Sequence, residues 1–500
     1  MQFSRDNVRS RLLLVFGLAG VMLVAHILAG GRYGFHRDEL ATLDDARHLA
    51  WGYVAYPPVT PFFGWISLCL FGTSLTGFRF FAALAASGGV VMTGLLAREL
   101  GGGRGAMLLA ALAAMPFALE CGSLMQYVAF DYLWWIIAAY FFVGLCKSRD
   151  PRWWLPLGAI FGIGMLTKYS MLFCVAGIVM GVIATPLRRH LASKWLWLGA
   201  ALSVLIFLPN VIWQAQHHFI SLEFLRHIHA RDVRIGRTKD FLPDQLTINL
   251  LGLPLALAGL GYYFFAPNEK QWRGLGWLYV VPLILFFVLQ GRGYYLAPAY
   301  PLLFAGGAVW LEKTVSRWQP RFRHLTYVAA GIALFAGVAV AGAVVLPIAP
   351  IHSRWWNFAV ANNGDLVEEI GWPELIETVA RVRDRLPPAD RERLGILAGN
   401  YGEAGALNLY GPQHSLPPAI SGTNSFWWRG YGNPPPEVVI VVGFDREFVD
   451  YYFRSGELVA HTSNREGVMN EETKEHRDIF LCRGLKLPWD QFWKIFQRFG

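Results

Sequence analysis

The chain has 500 residues, 54% hydrophobic and 15% aromatic, with only 16% charged side chains, well below the roughly 25% of ordinary soluble domains. Its net charge of +9 is uneven: residues 1–351 hold 28 basic and 15 acidic residues, whereas residues 352–500 hold 16 and 20. This is a membrane composition, and basic charge confined to the apolar part points to anionic headgroups or an anionic substrate, not to nucleic acid.

Apolar runs predict about eleven spans, near residues 12–30, 78–97, 105–118, 129–146, 154–172, 173–187, 195–213, 246–265, 274–290, 298–312 and 325–347. Residues 1–350 therefore read as an α-helical polytopic membrane domain. The first run follows Arg5, Arg9 and Arg11 and ends at Ala29-Gly30-Gly31, like a signal peptide, but its length favours a retained helix. Residues 31–77 form the first outer loop. Within it a helix over 38–50 puts Leu40, Leu43, Arg47 and Ala50 on one stripe, suited to lying on the membrane with its charges in water. The run at 59–72, interrupted by Pro61 and Gly64, reads as an interfacial or re-entrant helix.

Alternate connections are basic: Arg98/Arg104, Lys147/Arg149/Arg152, Arg188/Arg189/Lys194, Lys270/Arg273 and Lys313/Arg317/Arg321/Arg323. Basic loops stay in the cytoplasm, which places the N-terminus inside and, after an odd number of spans, the C-terminal part outside. Two outer loops break that pattern. Residues 214–243 carry Arg226, Arg231, Arg234, Arg237 and Lys239, and residues 290–300 carry Arg292. Either long outer loops tolerate charge, or these form a cationic surface for an anionic substrate.

Residues 351–500 read as a soluble α/β domain on the outer side. Val438–Gly443 and Leu394–Gly399 are predicted buried strands, and residues 365–386 have helical spacing. The five cysteines show no CxxC spacing, adjacent His217-His218 suit a metal poorly, and Gly101–Gly105 lacks the ending of a phosphate loop.

Three clusters carry groups suited to chemistry. Asp38-Glu39 is an acidic first helical turn that the helix dipole favours; it is equally a carboxylate able to take a proton from a nucleophilic hydroxyl. Asp131, at the outer end of the fourth span, is costly there unless it faces a polar cavity. Lys168, near the outer end of the fifth, is its structural partner, a snorkelling base or a phosphate ligand. Arg292 lies between glycines that let a guanidinium approach a phosphate, while Tyr294 and Tyr295 equally suit an interfacial belt.

In order and topology these motifs resemble the polyprenyl-phosphate-dependent glycosyltransferases of the GT-C fold. Within them they look most like the bacterial family 39 branch, related to protein O-mannosyltransferases and lipid A aminoarabinose transferases. The resemblance rests on three stretches: Asp38-Glu39 with Ala46-Arg-His-Leu-Ala-Trp-Gly-Tyr53 and Tyr56-Pro-Pro58, Gly162-Ile-Gly-Met-Leu-Thr-Lys168-Tyr, and Tyr294-Tyr-Leu-Ala-Pro-Ala-Tyr-Pro301. Asn400–Gly411 is similar to tails in that branch. The resemblance implies inverting sugar transfer from a polyprenyl-phosphate carrier to an acceptor hydroxyl, with Asp38 as general base and Glu39 its companion. It implies Lys168, Arg292, Tyr295 and Arg226 on the donor phosphate, and Asp131, Tyr127, Tyr56 and His36 around the cavity and acceptor. Gly122-Ser-Leu-Met-Gln-Tyr127 departs from the basic or Thr/Ser-Pro versions of relatives.

The implied partners are a lipid-linked sugar, membrane lipids, and a glycolipid, polysaccharide or protein acceptor, at the bacterial inner membrane with the C-terminal domain periplasmic. No motif calls for a cofactor, and a divalent metal is left open. A transporter or flippase of a lipid-linked or anionic substrate is the alternative, since it too needs intramembrane charges; no inverted repeat supports it, and the acids gather at the outer rim.

Overall fold

A computed structural model describes residues 2–500. The apolar part runs through α1 (Gln2–Ala29), α2 (Arg37–Arg47), α3 (Val59–Phe71), α4 (Leu75–Glu99), α5 (Arg104–Gly122), α6 (Tyr127–Ser148), α7 (Trp154–Met165), α8 (Met171–Ile183), α9 (Lys194–Gln216), α10 (Ile220–Arg234), α11 (Phe241–Asn249), α12 (Leu253–Phe265), α13 (Arg273–Val288), α14 (Tyr300–Val315) and α15 (Pro320–Val345). Among the described residues, eight helical segments are long and apolar enough to cross a membrane, or nine when α8 and the short helix at Pro186–Ala192, bent by 107°, count as one. The chain is an integral membrane protein.

The expected eleven spans differ from this because three runs, 154–172, 173–187 and 298–312, form shorter or bent helices. The first is the informative case. α7 stops at Met165 after 12 residues, and Leu166–Ser170 form a non-helical link to α8. Backbone of that kind is tolerated at membrane depth only where protein buries it or a polar cavity meets it. Thr167 supports the link, donating to the Ile163 carbonyl at 3.0 Å and accepting from Trp134 Nε1 at 3.0 Å. Lys168 sits in this break.

Small residues set the helix spacing. A Cβ on Gly158 would fall 2.0 Å from the Gly199 carbonyl oxygen, and one on Gly259 would fall 1.9 Å from that of Leu303. The α7–α9 and α12–α14 pairs therefore meet backbone to backbone, the contact that substitutes for a hydrophobic driving force between apolar helices.

Beyond α15 come α16 (Arg354–Asn362), α17 (Trp372–Asp384), α18 (Pro388–Arg391), β1 (Leu394–Ala398), α19 (Tyr401–Tyr410), β2 (Ala419–Ile420), β3 (Val438–Val442), α20 (Arg446–Tyr452), β4 (Phe453–His461), α21 (Glu471–Lys474), β5 (Asp478–Leu485) and α22 (Trp489–Ile495). The strands form one sheet of order β2-β1-β3-β5-β4, parallel among β2, β1 and β3, with β5 antiparallel to β3 and β4. Every residue of β1 and β3 is buried, as their continuous apolar runs require of strands covered on both faces. The helix expected over 365–386 is a 3-10 turn at Gly364–Glu369 followed by α17.

α2 corrects the expectation of a helix lying on the membrane with its charges in water. Leu40 and Leu43 are buried, and so are Glu39, Asp44 and Asp45. α19 crosses the helix so closely that a Cβ on Gly405 would stand 2.7 Å from the Leu40 carbonyl. The acids are paired there: Arg429 reaches Asp44 at 3.2 Å and Asp45 at 2.8 Å, and Asn408 donates to Asp44 at 2.8 Å.

Candidate active site

α2, the α5–α6 turn, the α7–α8 break, α10 and the Arg292 turn enclose a cavity of about 1530 Å³, which residues of the C-terminal part close. Its acidic wall starts at the α2 N-terminus. His36 caps that helix: its Nδ1 accepts from the Asp38 amide at 3.2 Å, and its own amide donates to Glu39 Oε2 at 3.0 Å. This reciprocal cap satisfies two otherwise orphaned donors and turns the neighbouring acids in opposite directions.

Glu39 points inward and is wholly buried, accepting from Arg79 Nε at 3.0 Å, Arg79 Nη2 at 2.7 Å and the Met125 amide at 2.8 Å. It is absent from the cavity wall, so its expected place beside a reacting group is not the one it occupies; it anchors α2. Asp38 does line the cavity. Its Oδ2 accepts from Gln126 Nε2 at 2.9 Å and its Oδ1 from the Tyr401 hydroxyl at 2.8 Å. Each oxygen keeps a further lone-pair direction for an incoming proton. Nearby, the Tyr56 hydroxyl donates to Asp45 Oδ2 at 2.8 Å. Burial pushes Asp45 up to about 7 against the pull of Arg429, and Asp44 adds to the rise.

The cationic wall is built around Lys168. Its Nζ lies 4.9 Å from the ring centroid of Tyr127, 5.2 Å from Tyr294 and 4.4 Å from Tyr295, three faces that attract a cation. Asp131 stands behind it, 3.9 Å from Nζ, and accepts from Ser170 Oγ and Trp135 Nε1, both at 3.1 Å. Asp131 is outside the cavity lining, which corrects its expected place on the acceptor side: it is the counter-ion of Lys168. Tyr127, whose ring is 6.2 Å from that of Tyr56, bridges the two walls.

Arg292 also lines the cavity, its Nε donating to Asp232 Oδ2 at 2.6 Å. The glycine after it serves a different purpose from the one expected. A Cβ on Gly293 would collide with the Asp244 carboxylate at 2.2 Å, so that glycine admits a side chain of α11. Arg231 and Arg237 join this wall, whereas Arg226 does not. α10 contributes Leu222, Phe224, Leu225 and Ile228 to the lining, whereas Arg226 is exposed and not part of it. Arg226, expected on the donor phosphate, therefore lies off the cavity wall in this structure.

Three residues escaped the sequence reading. Arg79 carried the signal of a charge in the first turn of an apolar span. Asp232 stood among arginines. Tyr401 gave no sign of where it would reach. Among the described residues no three His, Cys, Asp or Glu side chains cluster to hold a metal ion.

Comparison with known proteins agrees with this architecture. Residues 55–213 match the family model described as dolichyl-phosphate-mannose-protein mannosyltransferase. The fold aligns with ArnT from Cupriavidus metallidurans bound to undecaprenyl phosphate at a TM-score of 0.58, covering 94% of this chain and 97% of that one at 15% identity. The chain has an ArnT-like GT-C fold. A further structural match, the Archaeoglobus fulgidus oligosaccharyltransferase, has a TM-score of 0.52 at 12% identity, covering 86% of this chain and 68% of that one. The lipid A galacturonosyltransferase RgtD of Rhizobium johnstonii is 25% identical over 158 residues, 31% of this chain; the match spans about a third (33%) of that relative's length. The family model and the RgtD relative are both named for glycosyl transfer. The family match includes Lys168 and Tyr127 and leaves out Asp38 and Arg292.

Proposed function

We propose that this protein transfers a sugar from a polyprenyl-phosphate carrier to an acceptor hydroxyl at the outer face of the bacterial inner membrane. The observation that carries the reading is the meeting of Asp38 with the tyrosine-ringed Lys168 and with Arg292 on the walls of one cavity. The carrier named with the ArnT structure supports the choice of donor. The lipid A relative supports a glycolipid acceptor, over the polysaccharide and protein alternatives.

The chemistry follows from the two walls. The acceptor hydroxyl attacks the anomeric carbon while Asp38 takes its proton, and the bond from that carbon to the carrier phosphate breaks. The phosphate leaves with growing negative charge, which Lys168 and Arg292 stabilise more strongly in the transition state than in the bound donor. A single displacement inverts the anomeric centre. Gln126 and Tyr56 lie on the acceptor side of this scheme, and Asp131 keeps Lys168 in place. In the proposed topology residues 1–350 hold the membrane machinery and residues 351–500 close it from outside.

Purified protein is to be incubated with lipid-linked sugars and membrane glycolipid extract, and the products weighed by mass spectrometry. A glycolipid heavier by one sugar residue, with release of polyprenyl phosphate, is the expected result. Sugar-lipid movement across vesicles with no new glycoside would instead establish a flippase.

A further inference from the structure

The C-terminal part touches the proposed base directly, and rigid pieces fix the contact. Asn400 caps α19, its side chain accepting from the Glu403 amide at 2.9 Å, so the helix starts at a defined place. Gly402 and Gly405 let α19 lie against α2: a Cβ on Gly402 would meet Arg37 Cβ at 2.9 Å. Asn408 and Arg47 then lock the pair, with Arg47 Nη1 donating to the Asn408 carbonyl at 3.0 Å. The Tyr401 ring is held under the Arg37 guanidinium at 5.1 Å, and Arg37 in turn pairs with Glu471. The outcome is one hydroxyl aimed at Asp38 Oδ1 from 363 residues away in sequence.

We propose that Tyr401 is a positioning residue for the transfer reaction, and that the catalytic site is therefore incomplete until the C-terminal part docks on α2. This inference rests on the reading of Asp38 as the base. Tyr401 and Gln126 hold the carboxylate from its two oxygens, which fixes the plane in which the remaining lone pairs meet the acceptor. Catalytic groups need such constraint, because a carboxylate free to rotate spends most of its time misaligned.

The test compares Tyr401→Phe with Asp38→Asn and wild type in the same donor assay. Phenylalanine keeps the ring under Arg37 and removes only the hydroxyl. The expected result is a fall in kcat of about 10- to 100-fold, the range for losing one hydrogen bond to a charged group, with KM for the donor within about threefold. A tether without a positioning role would lower thermal stability and leave kcat unchanged, and that outcome overturns the proposal. If Asp38→Asn transfers at the wild-type rate, the base assignment itself fails and this inference falls with it. If Asp38→Asn is inactive and Tyr401→Phe behaves as wild type, only the role of Tyr401 is refuted.

Discussion

Replacing Arg79 by leucine should unfold the junction between α2, α4 and the C-terminal part. The guanidinium donates to Glu39 at 2.7–3.1 Å, to the Gly30 carbonyl at 3.1 Å and to that of Gly34 at 3.0 Å, and it lies 3.3 Å from Glu369. The two carboxylates are 0% and 4% exposed. Leucine leaves both inside without a cation, a change that costs about 3–5 kcal/mol for a buried pair. The two carbonyls add roughly 1 kcal/mol each. Tryptophan fluorescence during thermal unfolding in detergent reads the effect as an early transition. Adding Glu39→Leu should restore a large part of the loss, since the stranded carboxylate goes with it. Glu39→Gln alone should retain most of the transfer rate, which a residue acting on substrate would not permit. Arg79→Leu protein that unfolds within 1 °C of wild type, on the order of a small fraction of the expected shift, would refute the account of this network.

Three further outcomes are expected. Lys168→Met should lower kcat/KM by about 10²- to 10³-fold, the usual cost of one preorganised charge-stabilising group, measured with saturating acceptor; a loss under threefold would contradict its place at the departing phosphate. Arg292→Ala should weaken transfer strongly while Arg226→Ala stays within about twofold, because only Arg292 reaches the cavity; equal effects would return the basic loop to a general electrostatic role. Stability should fall as pH rises. Burial holds Glu403 at about 8 and Glu472 at about 7, against 4.5 when solvated, so the folded state keeps protons the unfolded chain has released. Their stabilisation is full below about 4.5 and gone above about 8, with a slope of about −1.4 kcal/mol per pH unit for each group in between. Glu403→Gln should flatten the upper end of a melting-temperature profile, and an unchanged slope would remove Glu403 from the explanation.

The sequence exposed those parts of the fold whose signals are local. Long apolar runs located the spans that packing leaves intact, and the valine-rich stretch at 438–442 announced a strand covered on both sides. It did not show where a span breaks: residues 154–172 are apolar throughout apart from Thr167, Lys168, Tyr169 and Ser170, and α7 stops at Met165, just ahead of that polar group. α2 misled for a related reason. Its amphipathic stripe fits a membrane surface as well as it fits another helix, and the deciding partner, α19, lies more than 350 residues away. The same distance hid Tyr401 behind Asp38 and Arg429 behind Asp44 and Asp45. Asp131 and Lys168 were legible as a pair because adjacent spans carry both, but which of them faces the cavity depended on the helix rotation that packing sets. That Arg231 and Arg237 line the cavity and Arg226 does not is a matter of local packing that the run of basic residues does not display.

The most direct test is a single-turnover reaction of purified Asp38→Asn with a polyprenyl-phosphate sugar and an acceptor that the wild-type enzyme uses. Asparagine preserves the shape, accepting from Tyr401 with its one oxygen and donating from its amide to Gln126 once that side-chain amide is flipped, but it cannot take the acceptor's proton. The chemical step should slow by about 10²- to 10⁴-fold, the range of general-base contributions, with donor binding retained and the product of the wild-type reaction inverted at the anomeric carbon. An Asp38→Asn chemical step within a few-fold of wild type would contradict the account.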